Sequence, residues 1–343
     1  MDSADHSLHA VPPRVTVIIP LYNKAPFIAR ALDSVLAQTF RGFEVIVVDD
    51  GSTDGGPEIV ERYRDRRLRL IRQANAGPGA ARNHGIRESK AAYVAFCDAD
   101  DEYLPQFLER ALTTLDHFPE CDAAATAYFE GSEHTDTVPR WEKAGITHGP
   151  YRLPGSIPVQ LLASAVNFLW SGSTVCRRDV VLRYGGFYAR TRCTWGEDGY
   201  LWTQVLLNHP VYRILEPLAW YHTEASELCG GRNTMHPVEP LLTDPEPVRR
   251  NCPAEHRHTL EDYLAYHALH AANRYAVHGD VATARELLRR FPLAARRGLR
   301  SIKLRVNISI VPIVRKAKAS TRLVVWLRNT PTVRKIVARI RGI

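Results

Sequence analysis

The chain has 343 residues and a formal net charge of +8, with 45% hydrophobic and 24% charged residues. That balance excludes an intrinsically disordered chain, and six Cys with no Gly-X-Y period exclude the disulfide-scaffold and collagen classes. The charge is uneven. Of the 45 Lys and Arg, 16 fall between Leu287 and Ile343 with no Asp or Glu among them, so the preceding residues hold 29 basic against 37 acidic side chains. The sequence reads as an acidic body with a basic tail, and its average basicity is no argument for nucleic acid.

Residues 1–14 read as a short polar leader without the apolar stretch of a secretory signal. No apolar run approaches the roughly 18 residues of a membrane span. The Cys residues are scattered and form no CxxC pair, which suits a reducing, cytoplasmic setting. A regular alternation follows. Val15–Pro20 is a β-branched buried strand, and Pro26–Thr39 has its apolar residues on one helical face. Phe43–Val48 is a second strand that runs into Asp49 and Asp50, and a polar helix starts near Glu58. Leu68–Ile71 is a third strand. The loop Ala74–Gly79 opens a helix over Ala80–Ser89. Tyr93–Cys97 is a fourth strand ending at Asp98-Ala99-Asp100-Asp101, and Pro105–His117 is another amphipathic helix. Strands alternating with helices imply an α/β fold with a mostly parallel central sheet.

In such sheets ligands sit beyond the carboxyl ends of the strands. Here three polar clusters stand there: Pro20 to Asn23, Asp49-Asp50, and Asp98 to Asp101. Any one of them is explained as a turn or a helix cap. Turn chemistry does not require five carboxylates at one rim. Carboxylates packed together repel one another unless a cation intervenes, and a hard divalent ion with oxygen ligands, Mg2+ or Mn2+, fits. Asp98 and Asp100, two apart, share a side. The loop Gly77-Pro78-Gly79 and Arg82 suit an anion at a helix start. Neither GxxxxGK[ST] nor GxGxxG is present, which removes support for P-loop and dinucleotide readings.

Five blocks taken together carry a family pattern: Val17–Asn23; Ser34–Phe40; Val47–Asp54; Gly77 with Ala81–Ile86; and Asp98–Asp101. In their order and spacing they resemble the family 2 glycosyltransferases, with their GT-A fold, a Rossmann-like sandwich. The resemblance implies a nucleotide-diphosphate sugar donor, UDP-linked by default, and a divalent cation. It gives Pro20, Tyr22 and Asp50 a nucleotide-binding role, with Arg82 and Asp98 close to the nucleotide, and makes Asp100 the direct metal ligand. It also implies an acidic pair about 100 residues later, and Glu197-Asp198 fits, after Tyr184-Gly185-Gly186-Phe187. Asp198 is then the general base and Glu197 its support. Read locally, the same pair is a helix N-terminus favouring the macrodipole. His222 suits either a metal or phosphate contact or a surface position, and Trp170 either an acceptor wall or the core. Neither a QxxRW signature nor membrane spans are found, which points to transfer of one or a few sugars.

The resulting organisation is a catalytic domain over 15–230, with a nucleotide and metal half (15–115) and an acceptor half (116–230). Residues 255–300 are expected to form a helical hairpin broken at His278-Gly279-Asp280, and 301–343 a basic amphipathic tail. The tail suits an anionic membrane surface, ordinary packing or a protein partner, with nucleic acid last. The expectation is a metal-dependent inverting glycosyltransferase that acts on a glycan or lipid-linked acceptor in surface polysaccharide or glycolipid assembly, cytoplasmic and peripheral to the inner membrane face. The alternative is a non-catalytic sugar-nucleotide binder or scaffold that keeps the fold.

Overall fold

The computed structural model describes residues 12–225 and 235–296. The expected tail, and all but the last three residues of the expected leader, lie outside them. The N-terminal half runs β1 (Val15–Leu21), α1 (Ile28–Leu36), β2 (Phe43–Asp49), α2 (Gly56–Arg62), β3 (Leu68–Arg72), α3 (Pro78–Glu88), β4 (Tyr93–Phe96), β5 (Glu102–Tyr103) and α4 (Phe107–His117). Next come β6 (Ala123–Glu130), β7 (Thr135–Asp136), α5 (Val138–Lys143), β8 (Gly149–Tyr151), α6 (Val159–Phe168), β9 (Thr174–Arg177), α7 (Arg178–Arg183), α8 (Glu197–Asn208) and β10 (Val211–Tyr221). The chain continues through α9 (Pro240–Thr243), α10 (Glu246–Asn251), α11 (Arg257–His278) and α12 (Val281–Arg290).

One mixed sheet has the order β3-β2-β1-β4-β9-β6-β10-β5. It is parallel from β3 through β4 and again between β6 and β10, while β9 enters antiparallel to both its neighbours. β1, the first strand in sequence, lies inside the order with β2 on one side and β4 on the other. The connections leave in opposite directions at such a point and open a crevice beyond the strand ends. The ends of β1, β2 and β4 deliver Tyr22, Asp50 and Asp98 to that crevice.

β1 and β2 are almost wholly buried, so they read as continuous apolar runs and not as alternating ones. α1 places Ile28, Ala31, Leu32 and Val35 against the core. Gly85 of α3 has no room for a side chain, because a Cβ there would lie 2.5 Å from Ile18 Cγ2. This lets α3 lie directly on β1. α11 ends at Gly279, in the left-handed region with φ 91°, and Asp280 caps α12 by accepting from Thr283 N at 3.0 Å. The expected break at 278–280 thus has a capping cause. α11 packs on α6 and α9. No described helix is long and apolar enough to cross a membrane.

Candidate active site

Asp50 follows β2 and is buried. It accepts from Gln73 Nε2 (2.7 Å), Ala76 N (2.8 Å) and Gly77 N (2.8 Å). The loop before α3 was expected to offer its free N–H groups to a ligand. In the structure Asp50 takes two of them, so the anion at this turn is the chain's own. Gly77, with φ 92°, lets the loop turn there and pack against the backbone of Cys193.

Arg82, one turn into α3, is buried between two carboxylates. It donates to Asp98 Oδ1 at 2.6 Å and to Glu197 Oε1 at 2.9 Å. Burial works against its charge, but Asp98 and Glu197 more than offset that and hold it above its ordinary value. Arg82 is therefore a bridge between the end of β4 and the start of α8, not a free cation. Asn83 sits beside it, donating to Phe187 O (2.7 Å) and accepting from Phe187 N (2.8 Å). That fastens α3 to the Tyr184–Phe187 segment and so to α8.

Asp100 Oδ2 lies 2.9 Å from Lys24 Nζ, which also donates to Ala225 O at 2.9 Å. Burial, then the charge of Asp98, push the Asp100 carboxyl up, and Lys24 opposes them. Burial pushes Asp101 up further; its Oδ1 accepts from His222 N at 2.9 Å, while its buried Oδ2 has no hydrogen-bond partner among the described residues. At the start of α8, burial and then Asp198 push Glu197 up to about 7 against the pull of Arg82. Asp198 is half-buried, accepts from Gly199 N at 2.7 Å, and is raised by burial with Arg82 opposing.

Two cavities flank this rim. The first, of about 320 Å³, is lined by Pro20, Tyr22, Lys24, Asp50, Gly77 and Arg192, among others. The second, of about 750 Å³, is lined by Tyr128, Trp141, Trp170, Asp198, Tyr263 and His267, among others. Both include Arg82, Asp98, Asp100, Thr194 and Glu197. The structure thus brings together Pro20, Tyr22, Asp50, Arg82, Asp98, Asp100, Glu197, Asp198 and Trp170. Tyr22 stands 47% exposed at the mouth of the first cavity. The half-buried Trp170 has ring centroids of Tyr128 and Tyr221 each 4.8 Å away, so it is both a wall and part of an aromatic cluster.

His222 is not brought there. It is buried and lines neither cavity, and both ring nitrogens face carboxylates, Nε2 at 2.8 Å from Glu102 and Nδ1 at 2.9 Å from Glu224. With a carboxylate at each ring nitrogen, the imidazole is not presented to a metal at the Asp98–Asp100 rim. Sequence reasoning missed Lys24, whose only signal is its place just beyond the first strand end. It also missed Glu239, Tyr263 and His267, whose spacing marks nothing.

Among the described residues no three His, Cys, Asp or Glu side chains are grouped to hold a metal. Asp98 and Asp100 still form an all-oxygen donor pair, at a rim where burial and mutual repulsion disfavour the charge of Asp100. Such a pair fits a hard divalent ion that draws most of its shell from substrate phosphates and water.

Residues 16–185 match the family model described as glycosyl transferase family 2. The uncharacterised glycosyltransferase YibD of Escherichia coli K12 is 36% identical over 179 residues, covering 50% of each chain. The uncharacterised glycosyltransferase EpsJ of Bacillus subtilis is 39% identical over 127 residues, 36% of this chain and 37% of that one. The chain spans half or less of the length of these relatives. Among solved structures, Staphylococcus aureus TarS superposes with a TM-score of 0.55 at 20% identity, covering 86% of this chain and 55% of that one. TarS 1–349 in complex with UDP-GlcNAc gives 0.53 at 18%, covering 83% and 92%. The mannosyltransferase PcManGT of Pyrobaculum calidifontis, in complex with GDP-Man and Mn2+, gives 0.50 at 19%, covering 89% and 88%. At these identities the likeness establishes the fold, which is GT-A.

Proposed function

Residues 16–185 make this chain a member of glycosyl transferase family 2, and from that premise we propose that it moves a sugar from a nucleotide-diphosphate donor to an acceptor hydroxyl, with inversion. The observation that carries this reading is the shared rim. A donor seated in the first cavity would end its diphosphate at Asp98 and Asp100, where an acceptor entering the second cavity meets it.

Each residue then has a task. Pro20 and Tyr22 wall the nucleotide. Asp50 has three of its roughly four acceptor positions filled by its own loop, which leaves about one for a base or ribose donor. Lys24 and Arg192 supply cations at the same cavity. Arg82 fixes Asp98 relative to Glu197, and through Glu197 the start of α8. Asp198 lines only the second cavity, so it can take the proton of an acceptor hydroxyl as that oxygen attacks the anomeric carbon. Its raised carboxyl is better matched to that proton than an ordinary Asp. A divalent ion held by Asp100, with Asp98 beside it, would offset the charge that develops on the leaving nucleoside diphosphate. The acceptor belongs to a glycan or glycolipid in this reading. Attachment to an anionic membrane face rests on residues 301–343, outside the described ones.

The test is a panel of UDP-, GDP- and dTDP-sugars with Mn2+ or Mg2+, reading both thermal stabilisation and nucleoside diphosphate release. A donor that binds the folded state raises its apparent stability. One nucleotide class should both stabilise and be turned over. Stabilisation without release, whatever the acceptor, would mark a non-catalytic binder, and no stabilisation by any donor would defeat the reading.

A further inference from the structure

We propose that α11 selects the acceptor: His267, oriented by Glu239, holds a hydroxyl of an uncharged sugar ring in the second cavity. The proposal rests on the glycosyltransferase reading above and extends it to the chemical class of the acceptor. Glu239, Tyr263 and His267 all lie beyond the segment that matches the family, yet they line the cavity that Asp198 opens into. His267 Nδ1 is 2.8 Å from Glu239 Oε1. A carboxylate at that nitrogen keeps a proton there, so in the neutral ring Nε2 carries the lone pair. Nε2 is buried and, among the described residues, has no hydrogen-bond partner. A buried acceptor without a donor is costly, and a ligand hydroxyl would remove the cost. The buried Tyr263 ring meets His267 edge-on at 4.4 Å and helps to set the imidazole plane.

Charge excludes the rival acceptor classes. Two arginines line this cavity, and both are already engaged: Arg82 by Asp98 and Glu197, and Arg140 by Glu130 at 2.6 Å. Asp198 and Asp101 add carboxyl groups to the wall, and neither offers an anion a positive partner. A phosphate or carboxylate on the acceptor would meet acids and, among the described lining residues, no Arg or Lys without an acidic partner. A neutral ring has hydroxyls for Nε2 and a CH face for the half-buried Trp170.

Saturation-transfer NMR on the full chain tests this directly. The probes are methyl β-D-glucopyranoside, methyl α-D-mannopyranoside and glucose 6-phosphate at equal concentration. The expected result is ring-proton signal from at least one methyl glycoside and little from the phosphate. H267N keeps a donor for Glu239 but has no acceptor at the Nε2 position, and should lower that signal at least fivefold. H267Q, whose amide oxygen reaches further, should restore part of it. The stabilisation by a nucleotide sugar should stay within twofold in both variants. Stronger signal from glucose 6-phosphate, undiminished signal in H267N, or equal loss of donor and glycoside binding would each overturn the proposal. Nucleoside diphosphate release is read separately: glycoside binding through His267 without any donor turnover would defeat the parent reading and leave the sugar wall standing.

Discussion

The two cavities on either side of Arg82 are built differently. The first is framed mostly by short peptides that follow β1, β2 and β4 and by the loop that Asp50 fixes, with Arg192, Thr194 and Glu197 closing it from the segment before and at the start of α8. The second is assembled from side chains on β6, α5, α6, α8, β10 and α11, spread from Tyr128 to His267. Strand ends in a parallel sheet are fixed by the ladder, which in the proposed reading makes the first side a rigid receptor for a constant group. The second side can change its occupant by changing single side chains, without touching the sheet. On this division, the donor is fixed by the fold and the acceptor by the walls.

The sharpest way to break the division is Asp198→Asn. The amide keeps the shape but cannot take a proton, so transfer should fall roughly 10²- to 10⁴-fold. Stabilisation by the nucleotide sugar should persist, because Asp198 is absent from the first cavity. Transfer at the normal rate would remove the general base from the second side. A smaller effect is expected from Lys24→Met. Removing one member of a buried pair costs about 3 kcal/mol, and here it takes the cation from Asp100 while Asp98 stays paired with Arg82. Mn2+ should therefore raise the melting temperature of K24M more than that of the wild type. An equal response in both would mean that the ion does not bind at Asp100.

The same division explains what the sequence made legible. The strands β1 and β2 were visible because buried parallel strands are unbroken β-branched runs, β4 because it is a short buried apolar run, and the edge strand β3 as a short apolar stretch between polar residues. The residues that line the first cavity from the strand ends, Pro20, Tyr22, Asp50 and Asp98, could therefore be picked out from motifs alone. The roles of Asp50 and Arg82 were visible only in part. Nothing in the sequence said that Asp50 satisfies its own loop, or that Arg82 is locked between Asp98 and Glu197, 115 residues apart from Glu197 along the chain. The sequence left His222 either a metal or phosphate contact or a surface position; the structure buries it, with Glu102 and Glu224 at its two ring nitrogens. Glu239, Tyr263 and His267 left no trace: Glu239 lies just before α9, and the polar and apolar residues of α11 are too mixed to mark one face of it. Which of its residues meets a cavity depends on where the helix docks.

The smallest effect tests the seam itself, through pH. Glu197 is pushed up to about 7, chiefly by burial and then by Asp198. An unfolded Glu titrates near 4.5, so between about 4.5 and 7 the folded chain holds a proton at this site that the unfolded chain has lost. Stability then falls as pH rises through that window, since it moves with the difference in bound protons. Glu197→Gln removes the titrating group, so the loss of melting temperature between pH 5 and pH 7 should be smaller than in the wild type. The slope that remains includes the contributions of Asp100, Asp101 and Asp198, which are raised as well. Because the variant also loses the ion pair with Arg82, the comparison lies in the slope and not in the absolute melting temperature. Identical slopes would mean that Glu197 ionises as freely in the fold as in the open chain. Arg82 would then hold the two cavities together without any cost at the second carboxylate.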